Sequence, residues 1–287
     1  MGETIFLNFN ITIAGLGLIG GSLAKAIRKK LKVNHLWAVD IDNCVLTKAK
    51  KDNIIDDGFI DPSYPLENSD IVILCTYPNA AIKFIKDNMH IFKTGCIITD
   101  TSGIKSKIAD GIKDLMRDDI EFIGGHPMSG RESAGYDFSD EKIFENSNYI
   151  LTPSEQNSEH SVNILLELIR RIGVKNITVM TPEEHDEAVA FTSQLPHIIA
   201  CALMNGSEQK NIKLCTGGSF RDATRVADIN CSLWSELIHE NKKNILNVLD
   251  NFLNDINNIY DTINNDNTEN LKLMFEMSRK RRKEMSI

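Results

Sequence analysis

Residues 11–22 read ITIAGLGLIGGS, and this stretch decides the fold. A short β-branched apolar run leads into three spaced glycines, and an apolar helical periodicity follows them. In such a strand, turn and helix, the first glycine allows a tight turn, the second lets the backbone approach a pyrophosphate, and the third lets the helix pack on the strand. The helix N-terminus attracts the anion. The cofactor-binding residues expected in this turn are Gly15, Gly17, Leu18, Ile19 and Gly20.

A glycine motif alone is a weak signal, but the next strand strengthens it. The apolar run at 35–39 ends in Asp40, which lies 20 residues beyond Gly20. A carboxylate at this position accepts hydrogen bonds from both adenosine ribose hydroxyls and repels the additional phosphate of NADP. We therefore expect NAD as the cofactor, whereas Asp42 is expected only to cap the following helix.

Strands and helices continue to alternate along the first half of the chain. The continuous apolar run 71–75 is typical of a strand buried on both faces, and a further strand is predicted at 96–100. This order predicts a doubly wound sheet with right-handed crossovers. Ligands bind outside the carboxyl ends of such strands. The residues expected to line the cofactor cleft are Thr76, Tyr77, Pro78, Asp100, Thr101 and Ser102.

The strand at 120–123 leads into GGHPMSGRE at 124–132, which places His126 at the rim of the same cleft. Histidine exchanges a proton near neutral pH. Beside a nicotinamide ring, it would take the proton from a hydroxyl group as hydride leaves the carbon. The alternative is a histidine that is hydrogen-bonded to loop backbone. We expect His126 to be the catalytic base.

The second half of the chain has a different character. From Pro182 onward helical periodicities dominate, over 188–204, over 233–263 and from 270 to the end. The prediction is an α/β and all-α chain: a Rossmann-type NAD-binding domain at 1–180, then a helical substrate-binding and dimerisation domain at 181–287. A broad apolar stripe on long helices favours a homodimer, although a self-contained helical domain is the alternative.

Polar groups interrupt these apolar helices. In SQLPH at 193–197, a kink at Pro196 would present Ser193 and His197 on one side. In GGSFRDATR at 217–225, two arginines one turn apart suit a carboxylate, with at least one expected to pair with the neighbouring aspartate. Trp234 is expected to be a core anchor.

Composition excludes several classes of protein. Of 287 residues, 42% are hydrophobic and 25% charged, which is typical of a folded, water-soluble chain. A net charge of −8 disfavours nucleic acid and anionic lipid as partners. The basic run 279–283 suits a helix C-terminus. Because no apolar run approaches the roughly 20 residues that cross a bilayer, and the start lacks a leader pattern, we expect a cytoplasmic protein without a membrane partner.

The six cysteines contain no C-x-x-C pair, so they are expected to be reduced structural thiols, and no metal site is predicted.

Taken together, the motifs resemble the prephenate and arogenate dehydrogenase family of tyrosine biosynthesis. The stretches that carry the resemblance are GLGLIGGSLAKAI at 15–27, GGHPMSGRESAG at 124–135, FENSNYILTP at 144–153, EEHD at 183–186, SQLPH at 193–197 and GGSFRDATR at 217–225.

The resemblance implies oxidative decarboxylation of prephenate to 4-hydroxyphenylpyruvate with NAD. It implies that His126 is the catalytic histidine and Arg225 binds the ring carboxylate. The other residues expected at the substrate are Ser102, His197, Ser193, Glu132, Arg131, Gly218 and Asp222, with Glu132 and Asp222 as ionic gates. One departure is the order of Ser102 and Gly103, which is reversed relative to the family.

Other functions stay open from the sequence. Arogenate differs from prephenate by an ammonium group in place of a ketone, and Arg131 would favour the keto acid. A hydroxyacid or amine dehydrogenase of the Rossmann-plus-helical type would need a lysine in a glycine-rich setting of the helical half, which the sequence lacks. An NAD-sensing regulator would bind the cofactor without turnover.

Overall fold

A computed structural model describes residues 6–131, 133–206 and 212–285. The chain forms two compact units, residues 1–241 and residues 242–287. The predicted domain boundary near residue 180 lies inside the first unit and stays a prediction.

The first unit is built on an eight-stranded sheet with the order β3-β2-β1-β4-β5-β6-β7-β8. The strands are β1 Phe6–Ala14, β2 Lys32–Val39, β3 Asp57–Phe59, β4 Ile71–Leu74, β5 Ile97–Asp100, β6 Glu121–Pro127, β7 Asn148–Thr152 and β8 Asn176–Val179. Neighbouring strands run parallel except for β6 and β7, which are antiparallel. The doubly wound sheet is confirmed, and the antiparallel pair is a feature that the sequence pattern did not predict.

Helices cover both faces of this sheet, because its central strands are apolar on both sides. In β4, Ile71 and Ile73 pack into one core with α1 and α6, whereas Val72 and Leu74 pack into a second core with α4 and α5. This confirms the strand buried on both faces. The helices of the α/β part are α1 Leu18–Lys30, α2 Asn43–Lys51, α3 Ser63–Asn68, α4 Pro78–Asn88, α5 Ser106–Ile112 and α6 Glu159–Arg171.

Further helices follow the sheet within the described residues of the first unit. They are α7 Pro182–Val189, α8 Leu195–Asn205, α9 Gly218–Thr224 and α10 Cys231–Glu240. A π-helical turn, Ala190–Gln194, joins α7 to α8. The helical periodicity predicted over 233–263 is confirmed, but it belongs to two helices and not to one. The helix breaks at Asn241, whose buried side chain donates to the backbone oxygen of Asp186 and to Gln194 Oε1.

The stretch Pro182–Asn205 is long and apolar enough, by composition alone, to cross a membrane. Its polar side chains His185, Asp186 and Gln194 are nevertheless buried and hydrogen-bonded within the first unit. Only 28% of the apolar window in this stretch is buried within the described part of the chain, and the absence of a membrane partner stays a prediction.

The second unit is a pair of helices, α11 Lys242–Asn264 and α12 Thr268–Glu284. They are joined near their connection by a hydrogen bond from Asn270 Nδ2 to Thr262 Oγ1 at 3.1 Å. As expected, the basic run lies at a helix C-terminus, in the last turn of α12. Large apolar side chains are exposed along both helices of the isolated chain, among them Leu253, Ile256, Tyr260, Ile263, Leu273 and Phe275.

Candidate active site

The glycine turn joins β1 to α1 at the carboxyl edge of the sheet. Gly15 has φ +94°, a conformation that favours glycine, and its N–H donates to the carbonyl of Val39 at 2.8 Å. A Cβ atom at Gly20 would lie 1.9 Å from the carbonyl oxygen of Gly15, so only glycine allows this close packing of helix on turn. At Gly17 a Cβ atom would meet nothing within 4 Å. The first and third glycines of the turn are therefore tightly packed against neighbouring atoms, whereas the second faces open space.

Asp40 lies beside this open side. Its Oδ2 accepts from the backbone N–H of Leu16 at 2.7 Å, and its Oδ1 accepts from the N–H of Asp42 at 2.9 Å. The side chain of Asp42 accepts from the N–H of Cys44 and caps α2, which confirms its expected role. Asp40 is thus a fixed, half-buried carboxylate next to the glycine turn.

The surroundings of the turn fit a dinucleotide. No side chain in the described part of the chain caps the N-terminus of α1, so the N–H groups around Leu18 and Ile19 are available for a phosphate. Thr76 Oγ1 is buried and has no hydrogen-bond partner among the described residues. Tyr77, whose hydroxyl accepts from Asn230 Nδ2 at 2.7 Å, and Pro78 begin α4 at the same edge. These residues fit NAD.

His126 lies on β6 at the same edge, because β1, β4, β5 and β6 run parallel. Its Nδ1 lies 2.8 Å from Nε2 of His185 on α7. His185 Nδ1 lies 2.8 Å from Asp186 Oδ1. The partner of His126 is therefore another histidine side chain and not loop backbone.

Burial and charge set the protonation of this chain of groups. Burial holds the pKa of His126 well below its usual value of 6.5, and repulsion from Lys105, and from His185 when that ring is protonated, lowers it further. Burial also lowers the pKa of His185 against the opposing hydrogen bond to Asp186. Although burial opposes it, hydrogen bonding from His185 and Ser106 lowers the pKa of Asp186. At neutral pH both histidines are neutral and Asp186 is ionised.

A buried ion pair supports the strand that carries His126. The Lys105 ammonium binds Asp100 and donates to the carbonyl of Gly125 at 2.6 Å, while Asp100 accepts from the N–H groups of Ser102 and Gly125. The side chains of Lys105 and Asp100 are 1% and 0% exposed. The pair joins the end of β5 to β6 directly before His126.

Ser102 and Gly103 also lie near His126. Ser102 is buried, and its Oγ has no partner among the described residues. A Cβ atom at Gly103 would lie 3.9 Å from His126 Cε1. The glycine of the reversed pair is therefore next to the imidazole ring. Thr101 continues the same loop, with its N–H donating to the carbonyl of Leu74 at 3.0 Å.

His197 and Ser193 are connected as SQLPH suggested, although through the backbone. His197 Nδ1 donates to the carbonyl oxygen of Ser193 at 2.8 Å. Trp234 is half-buried and stacks on the His197 ring, with centroids 3.6 Å apart. The expectation of a core anchor at Trp234 is therefore wrong, because its ring is used to hold a histidine. Burial lowers the pKa of His197.

The remaining substrate candidates lie on more exposed elements. Gly218 begins α9, Asp222 is exposed on it, and Arg225 begins the short turn after it. This turn packs against α8, the helix of His197. Arg131 is exposed and pairs with Asp140 at 2.8 Å. Glu132 lies outside the described residues. The substrate roles of these residues stay predictions.

Three residues of the site carry no role in the sequence analysis: Lys105, His185 and Asp186. EEHD at 183–186 contained a signal, since a buried histidine followed by an acid on a helix can make a hydrogen-bonded pair. The sequence around Lys105 contains no such signal. Because lysine is rarely fully buried, a buried ion pair is not expected from its residue type.

Comparison with known proteins agrees with this geometry. The family model described as "Prephenate dehydrogenase, nucleotide-binding domain" matches residues 23–178, and "Prephenate dehydrogenase, dimerization domain" matches residues 181–277. A prephenate dehydrogenase of Bacillus subtilis is 30% identical over 94% of this chain and 74% of its own length. A cyclohexadienyl dehydrogenase of Zymomonas mobilis is 33% identical over 85% of this chain and 84% of its own length.

Solved structures of prephenate and arogenate dehydrogenases are also similar to this chain. Prephenate dehydrogenase from A. aeolicus, in complex with hydroxyphenyl propionate and NAD+, matches with a TM-score of 0.89 at 25% identity over 99% of this chain and 100% of that chain. Synechocystis arogenate dehydrogenase matches with a TM-score of 0.81 at 28% identity over 96% of this chain and 99% of that chain. On its sequence matches, its sheet and its glycine turn, this chain belongs to the prephenate dehydrogenase family.

Proposed function

We propose that this protein catalyses the NAD-dependent oxidative decarboxylation of prephenate to 4-hydroxyphenylpyruvate, a step of tyrosine biosynthesis. The observation that carries the proposal is the half-buried His126 at the carboxyl edge of the sheet, hydrogen-bonded to His185. Its Nδ1 is engaged by His185, so its Nε2 is the nitrogen left for a substrate. The family of the chain and its similarity to the prephenate dehydrogenase of Bacillus subtilis support this assignment.

The cofactor's place follows from the turn. The backbone at Gly17 and the first N–H groups of α1 would hold the pyrophosphate, and Asp40 would accept from the adenosine ribose. NAD, when bound, supplies the acceptor for the hydride of the ring carbon. All other steps depend on residues of the chain itself.

The proton chemistry belongs to His126. Nε2 takes the proton of the ring hydroxyl as hydride leaves the ring carbon that bears this hydroxyl. Only a neutral imidazole can accept the proton. Loss of carbon dioxide then leaves its electron pair in the ring, which becomes aromatic. The phenolic oxygen regains a proton, for which the His126 imidazolium is the nearest donor. The chain therefore needs to position the substrate and exchange one proton.

Substrate positioning is assigned to the helices. Arg225 would bind the ring carboxylate with charge-assisted hydrogen bonds. His197 donates its Nδ1 proton to Ser193, so its neutral ring offers the Nε2 lone pair to the substrate side chain. Ser102, whose buried hydroxyl has no hydrogen-bond partner among the described residues, is proposed to bind the ring hydroxyl. Arg131, Glu132, Gly218 and Asp222 are proposed to complete the entrance.

The decisive experiment follows NADH formation by the purified protein with prephenate and, separately, with arogenate. Turnover with prephenate supports the proposal, and turnover with arogenate alone assigns the chain to the second substrate. Arogenate remains the second candidate because an arogenate dehydrogenase is among the similar structures. The Arg131 argument for the keto acid is also weaker than expected, since Asp140 already pairs with this arginine. Absence of turnover with both compounds would refute the proposal.

We further propose a homodimer, a domain boundary near residue 180 and a cytoplasmic location. The dimer is supported by the description of the second family model and by the exposed apolar side chains of α11 and α12. The domain boundary is supported by the limits of the two family matches, 23–178 and 181–277. Sedimentation analysis of the purified chain would test the dimer.

Alanine substitutions in the glycine turn should separate cofactor binding from folding. Gly17→Ala adds a methyl group on the open side, so the protein should fold normally while the KM for NAD rises about tenfold or more. Gly20→Ala drives a methyl group into the Gly15 carbonyl and should lower the free energy of unfolding by about 1–3 kcal/mol or more. NAD titration and thermal unfolding of both variants check this. Unchanged NAD affinity in Gly17→Ala would remove the pyrophosphate from this turn.

Arg225→Gln should mainly weaken substrate binding. Losing charge-assisted hydrogen bonds to a carboxylate, worth about 1.5–3 kcal/mol, should raise the KM for prephenate roughly 10- to 100-fold while kcat changes little. Arg221→Gln, one turn earlier on the exposed side of α9, is the matched control. If Arg221→Gln raises KM and Arg225→Gln does not, the carboxylate assignment moves to Arg221.

A further inference from the structure

We propose that His185 and Asp186 are positioning residues that hold His126 in the tautomer with a free Nε2 and stabilise the imidazolium formed when His126 accepts a proton. This inference deepens the proposed function and rests on His126 being the base of that reaction.

Asp186 is a fixed hydrogen-bond acceptor. Its Oδ1 accepts from the backbone N–H of Lys105 at 2.8 Å, and its Oδ2 accepts from the backbone N–H of Ser106 at 2.9 Å. Both amides belong to the loop and first turn of α5, whereas Asp186 belongs to α7. Asp186 is 4% exposed, and its carboxylate is held by donors from an element distant in sequence. An ionised carboxylate can only accept, so the direction of its next hydrogen bond is decided.

The acceptor role of Asp186 fixes which ring nitrogens of His185 and His126 carry protons. Because Asp186 accepts, His185 Nδ1 carries the proton of their 2.8 Å contact. The Nε2 of neutral His185 is then an acceptor, and His126 Nδ1 must donate in the second 2.8 Å contact. The Nε2 of neutral His126 therefore has no proton. A base that must take a hydroxyl proton at Nε2 needs this tautomer.

The geometry leaves little freedom for another arrangement. His185 is fully buried, and its ring meets the His126 ring at 64° with centroids 5.0 Å apart. Asn241 Nδ2 donates to the backbone oxygen of Asp186 and to Gln194 Oε1, which holds the C-terminal part of α7 and the π-helical turn together. A rotated His185 ring would lose both of its hydrogen bonds inside the protein, so rotation is disfavoured.

The charges around the two histidines also favour an imidazolium at His126. The groups that surround the two histidines are the Lys105 ammonium, the carboxylates of Asp100 and Asp186, and the buried Tyr149 hydroxyl near Gly125. Asp100 is already paired with Lys105. When His126 becomes an imidazolium, Asp186 is the remaining carboxylate of this group to offset it through the neutral His185. The proton itself stays on His126.

Two substitutions at His185 test the inference. His185→Leu fills the space without an acceptor, whereas His185→Gln brings an amide oxygen near the position of Nε2 and an amide N–H₂ towards Asp186. We expect His185→Leu to lower kcat about 10- to 100-fold, with KM for NAD and prephenate changed less than about threefold. His185→Gln should recover most of the loss. A purely structural role would change KM and stability together and would not distinguish the two variants by kcat.

The tautomer is measured directly, without reference to activity. In protein labelled with 15N-histidine, long-range 1H–15N spectra separate rings with the proton on Nδ1 from those with it on Nε2, and loss of a signal in His126→Asn assigns the His126 ring. We expect the Nδ1–H form in the wild type and a mixture of both forms in His185→Leu.

The outcomes separate this inference from the proposed function. An Nε2–H wild-type ring, wild-type kcat in His185→Leu, or equal losses in both variants would overturn the positioning role while wild-type turnover still supported the function. If the wild type turned over neither substrate, the function would fail, and the spectra would still decide whether His185 and Asp186 set the tautomer of His126.

Discussion

His126→Asn is expected to lower kcat by about 10²- to 10⁴-fold, the range that positioned acid–base groups contribute. Asparagine has no nitrogen that can take a proton near neutral pH, but its amide can still occupy part of the space beside His185. Prephenate is held mainly by other residues in our proposal, so its KM should stay within about threefold. Steady-state NADH formation with the purified variant measures both constants.

A matched control is His160→Asn, at an exposed position in the first turn of α6, which should leave both constants unchanged. The pH dependence gives a second check on the same residue. His126 must be neutral to act, and burial together with the nearby charges lowers its pKa, so kcat/KM should be level through neutral pH and fall only well below pH 6.5. Loss of activity on the acid side should disappear in the residual rate of His126→Asn. A variant that keeps wild-type kcat would show that another group is the base.

The elements predicted correctly are those decided by local pattern. The glycine turn and the strand at 71–74 follow from residues adjacent in sequence, since backbone freedom and continuous apolar character are read directly. The break at Asn241 does not follow from neighbouring residues, because its side chain is hydrogen-bonded to residues 47 and 55 positions earlier in the chain. Helical periodicity continues across this position, so the pattern alone predicts one helix where two exist.

The residues of the site also differ in whether the sequence could predict them. His126 and Asp40 follow strand ends, so their place at the cleft could be inferred from the order of strands and helices. His185 and Lys105 could not be assigned, because their contacts join residues 59 and 81 positions apart in a three-dimensional arrangement that the sequence does not display. The sequence predicts a core position for Trp234, whereas its stacking on His197 depends on how α10 lies against α8.

Lys105→Met should destabilise the first unit by about 3–5 kcal/mol, because it leaves the fully buried Asp100 carboxylate without its counter-charge. The N–H groups of Ser102 and Gly125 would remain as its donors and would offset only part of the loss. Both tryptophans, Trp37 and Trp234, belong to residues 1–241, so fluorescence-monitored urea unfolding reports on this unit. A second effect is expected on catalysis: without the Lys105 charge, the pKa of His126 rises and the acid limb of kcat/KM moves to higher pH.

The matched control is Lys107→Met, two residues further on, whose ammonium pairs with Glu240 while its side chain is 41% exposed. A pair whose ammonium remains open to solvent contributes about 0–1 kcal/mol, so this variant should unfold close to the wild type. Adding Asp100→Asn to Lys105→Met removes the uncompensated charge, and the double variant should be more stable than the sum of the two single changes implies. If Lys105→Met lost no more stability than Lys107→Met, the buried pair would not be what joins β5 to β6 beneath His126.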